Sequence, residues 1–419
     1  MANAGPASER ANQRNALIAG FLGWTLDAFD FFLLTFVLGA VAKEFNRSIP
    51  EVALTLTASL AMRPVGAFIF GLMADRYGRR LPLMLDIIFY SIVEVLSGLA
   101  PTYTIFFILR LLYGIGMGGE WGVGASLTIE SVAPKWRGLV SGLLQEGYAF
   151  GYLLAAIAYP LVFPHFGPHW NWRVLFFIGG LPALLTLFIR ARVKEPAAWH
   201  ETRTDWATYR RSVFQNWRIF LYLVLLMAMM NFISHGTQDM YPTFLQRELH
   251  YSPGQSGIIT VISMIGAICG GLLFGTLSER WGRRRAMVTA VLLAVVLIPL
   301  WIGAPNLALL SLGAFLMQFM VQGAWGVIPA HINELSPNKL RGFFPGFAYQ
   351  LGVLCASSIG YIEAVLGEHF SYQQSMGLLA ALVLMVGSVV IWVGPEAKGI
   401  AFGKAGEGGE PPPLRPFSR

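Results

Sequence analysis

Asn231, His235 and Asp239 recur at every fourth position of the stretch "NFISHGTQDMYPTF" (231–244), with Gln238 beside them. On a helix that spacing gathers an amide, an imidazole and a carboxylate onto one stripe. The stretch lies within a long apolar run. A charge at the centre of a membrane costs about 2.5–3.5 kcal/mol on insertion scales, so polar residues held there mark a pathway or a binding site by default. Side chains of these types can donate and accept hydrogen bonds and exchange a proton. They suit the lining of a cavity for a small polar or anionic solute. The alternative is an imidazole satisfied by neighbouring helices with no ligand.

Other ionisable residues sit in apolar runs as well. "GWTLDAFDFF" sets Asp27 and Asp30 one turn apart, at mid-membrane depth for a rise of about 1.5 Å per residue. Arg110 precedes "GIGMGGEWG", which holds Glu120, and Gln145 and Glu146 follow in the next run. A carboxylate sheltered from water and close to a cation can take up and release a proton. Asp27, Asp30, Glu120, Glu146 and Asp239 are therefore the candidate proton carriers, and His235 with Asp239, one turn apart, would titrate as a coupled unit. Arg63, Asp86 and Glu94 have structural readings: Arg63 and Asp86 as ion-paired residues near membrane ends, and Glu94 against the backbone of another helix.

Only 13% of the 419 residues are charged and 55% are hydrophobic, against about 25% charged in soluble domains. The length fits about twelve membrane spans. They are read at 16–41, 51–73, 81–100, 103–128, 138–163, 173–191, 218–246, 253–277, 286–303, 306–332, 342–366 and 372–394. The first is too long for a signal-peptide core and is expected to be retained. Most of the 30 Lys and Arg fall in the loops of one side, whereas the other side holds only Lys43, Arg47, Arg173 and Arg247. This asymmetry places both termini in the cytoplasm of a multi-pass plasma-membrane protein. It also explains the net charge of +7 without a nucleic-acid partner. Cys269 and Cys355 have no metal-ligand spacing and are expected to be buried apolar residues with no disulfide. With no P-loop, metal cluster or nucleophile elbow, an enzyme is not expected, nor a metal or cofactor.

The chain repeats itself. The displacement that carries Gly71 onto Gly275 also carries Asp75 onto Glu279, and Arg76, Arg79 and Arg80 onto Arg280, Arg283 and Arg284. The same displacement carries "GEWGV" (119–123) onto "GAWGV" (323–327), Glu130 onto Glu334, Arg137 onto Arg341, Asp27 onto Asn231 and Asp30 onto Ser234. Two parallel halves enclosing a site near the midplane are the plan of a rocking transporter. The expected organisation is a cytoplasmic tail (1–15), a six-helix bundle (16–192), a cytoplasmic linker (193–216), a second six-helix bundle (217–395) and a disordered cytoplasmic tail (396–419). "GLMADRYGRR" (71–80) and its echo "GTLSERWGRRR" (275–285) resemble the cytoplasmic loop motif of the major facilitator superfamily. That resemblance implies an all-α fold of twelve transmembrane helices in two pseudo-symmetric bundles. It also implies a gating role for Gly71, Asp75, Arg76, Arg79, Arg80, Glu279, Arg280 and Arg283. Glu130 and Glu334, each closing its span ahead of Arg137 and Arg341, read as gate salt-bridge residues.

Within that superfamily the spacing Asn231-x-x-Ser234-His235-x-Thr237-Gln238-Asp239-x-x-x-Thr243 resembles the seventh-span motif of the fungal lactate/pyruvate permeases, a branch of the sialate:proton symporter family. "QEGYAFGYL" (145–153) and "YQLGVLCAS" (349–357) resemble that branch too, while "DAFDFF" and "GMGGEWG" resemble the wider family. The resemblance implies functional roles for Asn231, His235, Asp239, Arg110 and Gln350. Glu120 departs from the fungal pattern. Arg110 is read either as the cation that grips a substrate carboxylate or as a structural residue binding backbone carbonyls. Asn231, Gln238 and Gln350 would orient the second substrate oxygen. The implied activity is proton-coupled symport of small monocarboxylates such as L-lactate and pyruvate by a monomer. The alternatives are a sialic acid or other organic-acid symporter, a uniporter or a non-transporting receptor.

Overall fold

The computed structural model describes residues 6–202, 206–238, 240–357, 362, 370–396, 398–400 and 402, and among them the chain is all-helical. The first half contains α1 (Pro6–Glu44), α2 (Ile49–Tyr77), α3 (Arg80–Gly98), α4 (Tyr103–Ser131), α5 (Arg137–Gln145), α6 (Gly147–Val162), α7 (Asn171–Ile178) and α8 (Ala183–Arg192). Two short helices, α9 (Ala197–Thr202) and α10 (Trp206–Gln215), occupy the linker. The second half contains α11 (Trp217–Gln238), α12 (Tyr241–Arg247), α13 (Pro253–Trp281), α14 (Arg283–Gly303), α15 (Leu307–Trp325), α16 (Ile328–Leu335), α17 (Phe344–Ala356) and α18 (Tyr372–Val393).

Ten helical segments among the described residues are long and apolar enough to cross a membrane. α4 is as long, but it carries Arg110, Glu120 and a run of glycines, and its inner two-thirds is buried in protein. α17 is shorter, and the rest of the span expected at 342–366 lies largely outside the described residues. α1 begins at Pro6, so it takes in most of the 1–15 tail as well as the first span. Four expected spans break within the membrane, at Glu146, at 179–182, at Met240 and at Gly326. Broken helices are tolerated where irregular backbone is covered by protein or lines a cavity.

Glycine sets the helix spacing inside each half. A Cβ on Gly114 or Gly118 would fall 2.1 Å from Ser59 O or 1.9 Å from Arg63 O, so α4 and α2 touch backbone to backbone. Gly266 and Gly270 place α13 against Phe315 and Phe319 of α15 in the same way. Cys269 and Cys355 are exposed, which corrects the expected burial. In a membrane chain the outward surface is itself apolar, so a small apolar side chain needs no protein around it.

The halves meet on the face that carries the arginine-rich loops. Asp75, at the end of α2, accepts the amides of Gly342 (2.6 Å) and Phe343 (3.1 Å) from the other half. It also pairs with Arg79 at 2.7 Å, and Arg79 forks onto both oxygens of Glu130. The second half repeats the arrangement. Arg283 forks onto Glu334 at 2.9 Å and pairs with Glu279 at 2.9 Å, and Glu279 accepts the amide of Gly138 across the seam. Arg137 reaches Glu334 at 3.6 Å and Arg341 reaches Glu130 at 3.8 Å. Ser126 donates to Arg341 O at 2.6 Å and Ser141 accepts the Ala330 amide at 2.9 Å, so bonds between the halves gather towards this basic face, which is shut.

Two carboxylates outside the repeat loops finish these clusters. Glu195 accepts the Arg79 and Arg80 amides at the start of α3, and Glu396 accepts the Arg283 and Arg284 amides at the start of α14. A carboxylate suits a helix N-terminus. Burial pushes the Glu195 carboxyl above its usual range, opposed by the two amides. The linker adds Trp199, which donates to Asp75 O at 2.9 Å, and Tyr209, which donates to Asp75 Oδ2 at 3.0 Å. The start of the C-terminal tail, expected to be disordered, is also engaged: Arg137 donates to Ile400 O at 2.7 Å, and the Phe402 ring lies 3.4 Å from Arg137 Cζ and 3.7 Å from Arg341 Cζ. Arg76, Arg80 and Arg280 stand at the rim. Arg76 lies over Trp206, Arg80 donates to Arg190 O, and Arg280 is exposed.

Asp75→Asn is expected to loosen the seam. It removes the charge that two amides of the other half and Arg79 all meet, and hydrogen bonds to charged groups contribute about 1.5–3 kcal/mol each. Hydrogen–deuterium exchange of the 341–347 segment is expected to speed up roughly tenfold or more, with the interior of α3 unchanged. Exchange at the wild-type rate would contradict this account of the closed face.

Candidate functional site

The ionisable residues of the spans fall into three groups. The first is a closed pair. Arg110 of α4 donates from Nη2 to Glu94 Oε2 and to Ser97 Oγ of α3, both at 2.6 Å. Its guanidinium carbon lies 4.5 Å from the Tyr113 ring centre and 5.0 Å from that of Phe176, and the residue is 1% exposed. Of the two readings of Arg110, this pairing favours the structural one, since its charge is met by Glu94 among aromatic walls. It corrects the reading of Glu94 as a partner of helix backbone. Gly179, at the break between α7 and α8, lies against both Glu94 and Asp30, since a Cβ there would be 2.6 Å from Glu94 Cγ and 2.8 Å from Asp30 Oδ1.

The second group is Arg63 of α2. It is buried in mid-helix, not near a membrane end as expected, and no carboxylate pairs with it in a salt bridge among the described residues. Its Nε and Nη2 have no hydrogen-bond partner within the protein. Its guanidinium carbon lies 5.9 Å from the ring centre of Trp24 on α1 and 5.8 Å from that of Tyr349 on α17. These rings belong to an aromatic group at the junction of the two halves: Trp121 stacks on Tyr349 at 4.4 Å, Trp24 stacks on Tyr148 at 5.5 Å, and Trp325 meets Tyr349 edge-on at 5.8 Å. An arginine against aromatic faces keeps its donors free for a planar carboxylate. In composition Arg63 was one more buried charge, and only the side-chain geometry separates it from Arg110.

The third group holds buried carboxylates and amides without partners. Both oxygens of Asp27, Asp30, Asp86 and Glu120 lack a hydrogen-bond partner within the protein, as do both polar atoms of Gln350. Glu120 faces Gly23 of α1, where a Cβ would come within 2.2 Å of its Oε1. The backbone carbonyl of Asp27 accepts from the Tyr113 hydroxyl at 3.0 Å.

The polar stripe that starts at Asn231 lies at the end of α11. Asn231 is buried and donates to Met227 O at 2.8 Å. Gln238 donates to Gln318 of α15 at 2.6 Å, and Gln322 of the same helix donates to Ser234 at 3.2 Å. His235 is partly buried and engaged within the protein. Asp239 lies outside the described residues. Sequence reasoning missed Gln318 and Gln322. Their spacing of one turn on an apolar helix was the available signal, and they stand where the first half has Gly114 and Gly118. His331 was missed as well; it is fully buried with neither ring nitrogen bonded. Among the described residues no cluster suits a metal ion.

Comparison with known proteins places this geometry. Residues 15–218 match a family model described as sugar (and other) transporter, and residues 232–419 match one described as Major Facilitator Superfamily. Residues 145–316 also match a model described as vacuole effluxer Atg22 like. The chain is 31% identical to a probable 4-methylmuconolactone transporter of Cupriavidus pinatubonensis, over 97% of this chain and 96% of that one. It is 28% identical to a carboxylic acid transporter protein homolog of Saccharomyces cerevisiae, over 91% of this chain and 68% of that one. Its fold matches the solved structure of the proton:xylose symporter XylE with a TM-score of 0.73 at 18% identity, over 93% of this chain and 98% of the other. The chain is a multi-pass membrane transporter and belongs to the major facilitator superfamily.

Breaking the Arg110–Glu94 pair from one side is expected to destabilise the fold. Removing one partner of a buried ion pair costs about 3–5 kcal/mol. Arg110→Ala is expected to lower the melting temperature in detergent, and Glu94→Gln added to it is expected to restore part of the loss. A melting temperature unchanged in Arg110→Ala would contradict the pairing.

Proposed function

We propose that the protein is a proton-coupled symporter of small monocarboxylates such as L-lactate and pyruvate, working by alternating access across the plasma membrane with its basic face in the cytoplasm. The carrying observation is Arg63. A buried guanidinium with free donors, held between rings of both halves, is a receptor for one carboxylate. The Gln350 amide, and Asn231, His235 and Gln238 of α11, supply partners for the second oxygen of a 2-hydroxy or 2-keto acid. The relative described as a carboxylic acid transporter supports this substrate class. Arg110, with Glu94, holds the first bundle together.

A monocarboxylate carried with one proton moves no net charge. Asp27 and Asp30 stand on the first span, in the same half as Arg63, and are the proposed proton carriers, with Asp239 and Glu120 as further candidates. An ionised carboxylate there needs a cation or water, whereas a protonated one does not. Release requires the Asp75 and Glu279 clusters to part. A second reading is a larger organic acid, favoured by the similarity to a 4-methylmuconolactone transporter, whose ring the aromatic group would also accommodate.

Proteoliposomes given radiolabelled L-lactate and an inward proton gradient test both parts. The wild-type protein is expected to accumulate lactate, with pyruvate competing. Arg63→Ala is expected to weaken substrate binding roughly 10–100-fold, the value of one lost charged hydrogen-bond set, while melting at the wild-type temperature. Asp27→Asn and Asp30→Asn are expected to exchange lactate without concentrating it. Normal saturable uptake by Arg63→Ala overturns the site, and uptake of only larger acids overturns the substrate.

A further inference from the structure

Glu146 has no place in the site just described, yet it occupies a singular position. It sits at the joint between α5 and α6, is 3% exposed, and its Oε1 has no hydrogen-bond partner within the protein. It is the third member of a stripe on α5 whose first two members are Gly138 and Gly142. That stripe is the seam with the other half. A Cβ on Gly138 would lie 2.2 Å from Gly275 O, and one on Gly142 would lie 2.5 Å from Gly271 O. A Cβ on Gly271 would lie 2.0 Å from Glu146 Oε1. The carboxylate therefore closes the inner end of a glycine seam, pressed against the backbone of α13.

The repeat sharpens this. The displacement that carries Gly138 and Gly142 onto Gly342 and Gly346 carries Glu146 onto Gln350. The second seam also rests on glycine, Gly346 against Gly122. One seam thus ends in an amide that cannot titrate and the other in a carboxyl group that can.

We propose that Glu146 is the proton-release residue of the transport cycle, protonated while the α5–α13 seam is shut and deprotonated when the seam parts towards the basic face. This rests on the proton-coupled reading given above and adds the step at which the proton leaves. The seam must open for alternating access, and opening moves Glu146 from backbone contact into water. An unpaired ionised carboxylate in the shut seam is costly, while a hydrated one is not. Conformation and protonation are linked through that difference: a bound proton favours the shut seam, and opening favours loss of the proton to the basic side.

The charged groups on the surrounding helices do not offset the effect. On α13 the nearest are Glu279 and Arg280, further down towards the basic face, with Glu279 taken up by Arg283 and the Gly138 amide. α15 carries no ionisable side chain. On α16, Glu334 is held by Arg283, and His331 is fully buried with neither ring nitrogen hydrogen-bonded. α1 meets the joint through Trp24 and Thr25 beside Gly147, while its Asp30 lies against Gly179 and Glu94; its Asp27, and Glu120 of α4 against Gly23, are carboxylates like Glu146 and supply no cation.

The test compares Glu146→Gln with wild type in two readouts. The first is transport: the variant is expected to keep lactate exchange and to lose gradient-driven accumulation at least tenfold. The second needs no substrate. Hydrogen–deuterium exchange of 138–146 and 271–278, corrected for intrinsic rates, is expected to rise with pH in the wild type and to be flat in Glu146→Gln, with Glu146→Asp restoring the slope. Accumulation at the wild-type level, or a pH slope that survives in Glu146→Gln, overturns the proposal. A folded variant that loses exchange as well as accumulation also overturns it, since that marks a binding role. If the wild type moves no lactate, the monocarboxylate reading fails, and the substrate-free slope still decides on Glu146.

Discussion

The structure depends on how a charge buried in a membrane span finds a partner. An unpaired ion in such surroundings is expensive, and a paired one is costly to break. The chain meets this constraint in two ways. Arg79 with Asp75 and Glu130, Arg283 with Glu279 and Glu334, and Arg110 with Glu94 are ion-paired inside the protein, although Arg110 Nε and Glu94 Oε1 keep no hydrogen-bond partner. Arg63, Asp27, Asp30, Glu120 and Gln350 retain unsatisfied atoms. The first set holds helices and halves in place. The second set is the one to which the proposed function assigns solute and proton, and it lies where the halves face each other or within the first bundle behind that face.

The gate shows how one device is used twice. Each repeat loop ends α2 or α13 with an acidic residue, and that residue receives a backbone amide from the opposite half: Gly342 to Asp75, and Gly138 to Glu279. The charges are thus shared between intra-half and inter-half bonds. Such bonds can be traded for water when the face opens, whereas the Arg110–Glu94 pair lies within one bundle and can stay closed throughout. The linker and the first residues of the C-terminal tail lie over these clusters through Trp199, Tyr209, Ile400 and Phe402, so both segments are part of the shut face.

Much of this was legible in the sequence because it is written twice. Asp75 and Glu279, Glu130 and Glu334, and Arg79 and Arg283 stand in register across the repeat, and the charge bias of the loops assigns them all to one side. Side-chain partnership between helices was not legible. Arg63 and Arg110 are both arginines in apolar helices, and which one meets a carboxylate depends on helix rotation about the axis, which no spacing rule fixes. The stripe on α11 was recognised by its period. Its engagement by Gln318 and Gln322 comes from a different helix and left no trace in the α11 pattern. The burial expected for Cys269 and Cys355 failed for a related reason, since apolar character does not distinguish a core from a lipid-facing surface.

The central claim is that a carboxylate and a proton bind together. Calorimetric titration of the purified protein with pyruvate, in buffers of different ionisation enthalpy at one pH, counts protons taken up per substrate bound. The account predicts net proton uptake with each pyruvate, vanishing at pH values low enough that the coupling carboxylates are already protonated. Tight binding with no proton uptake at any pH would contradict it.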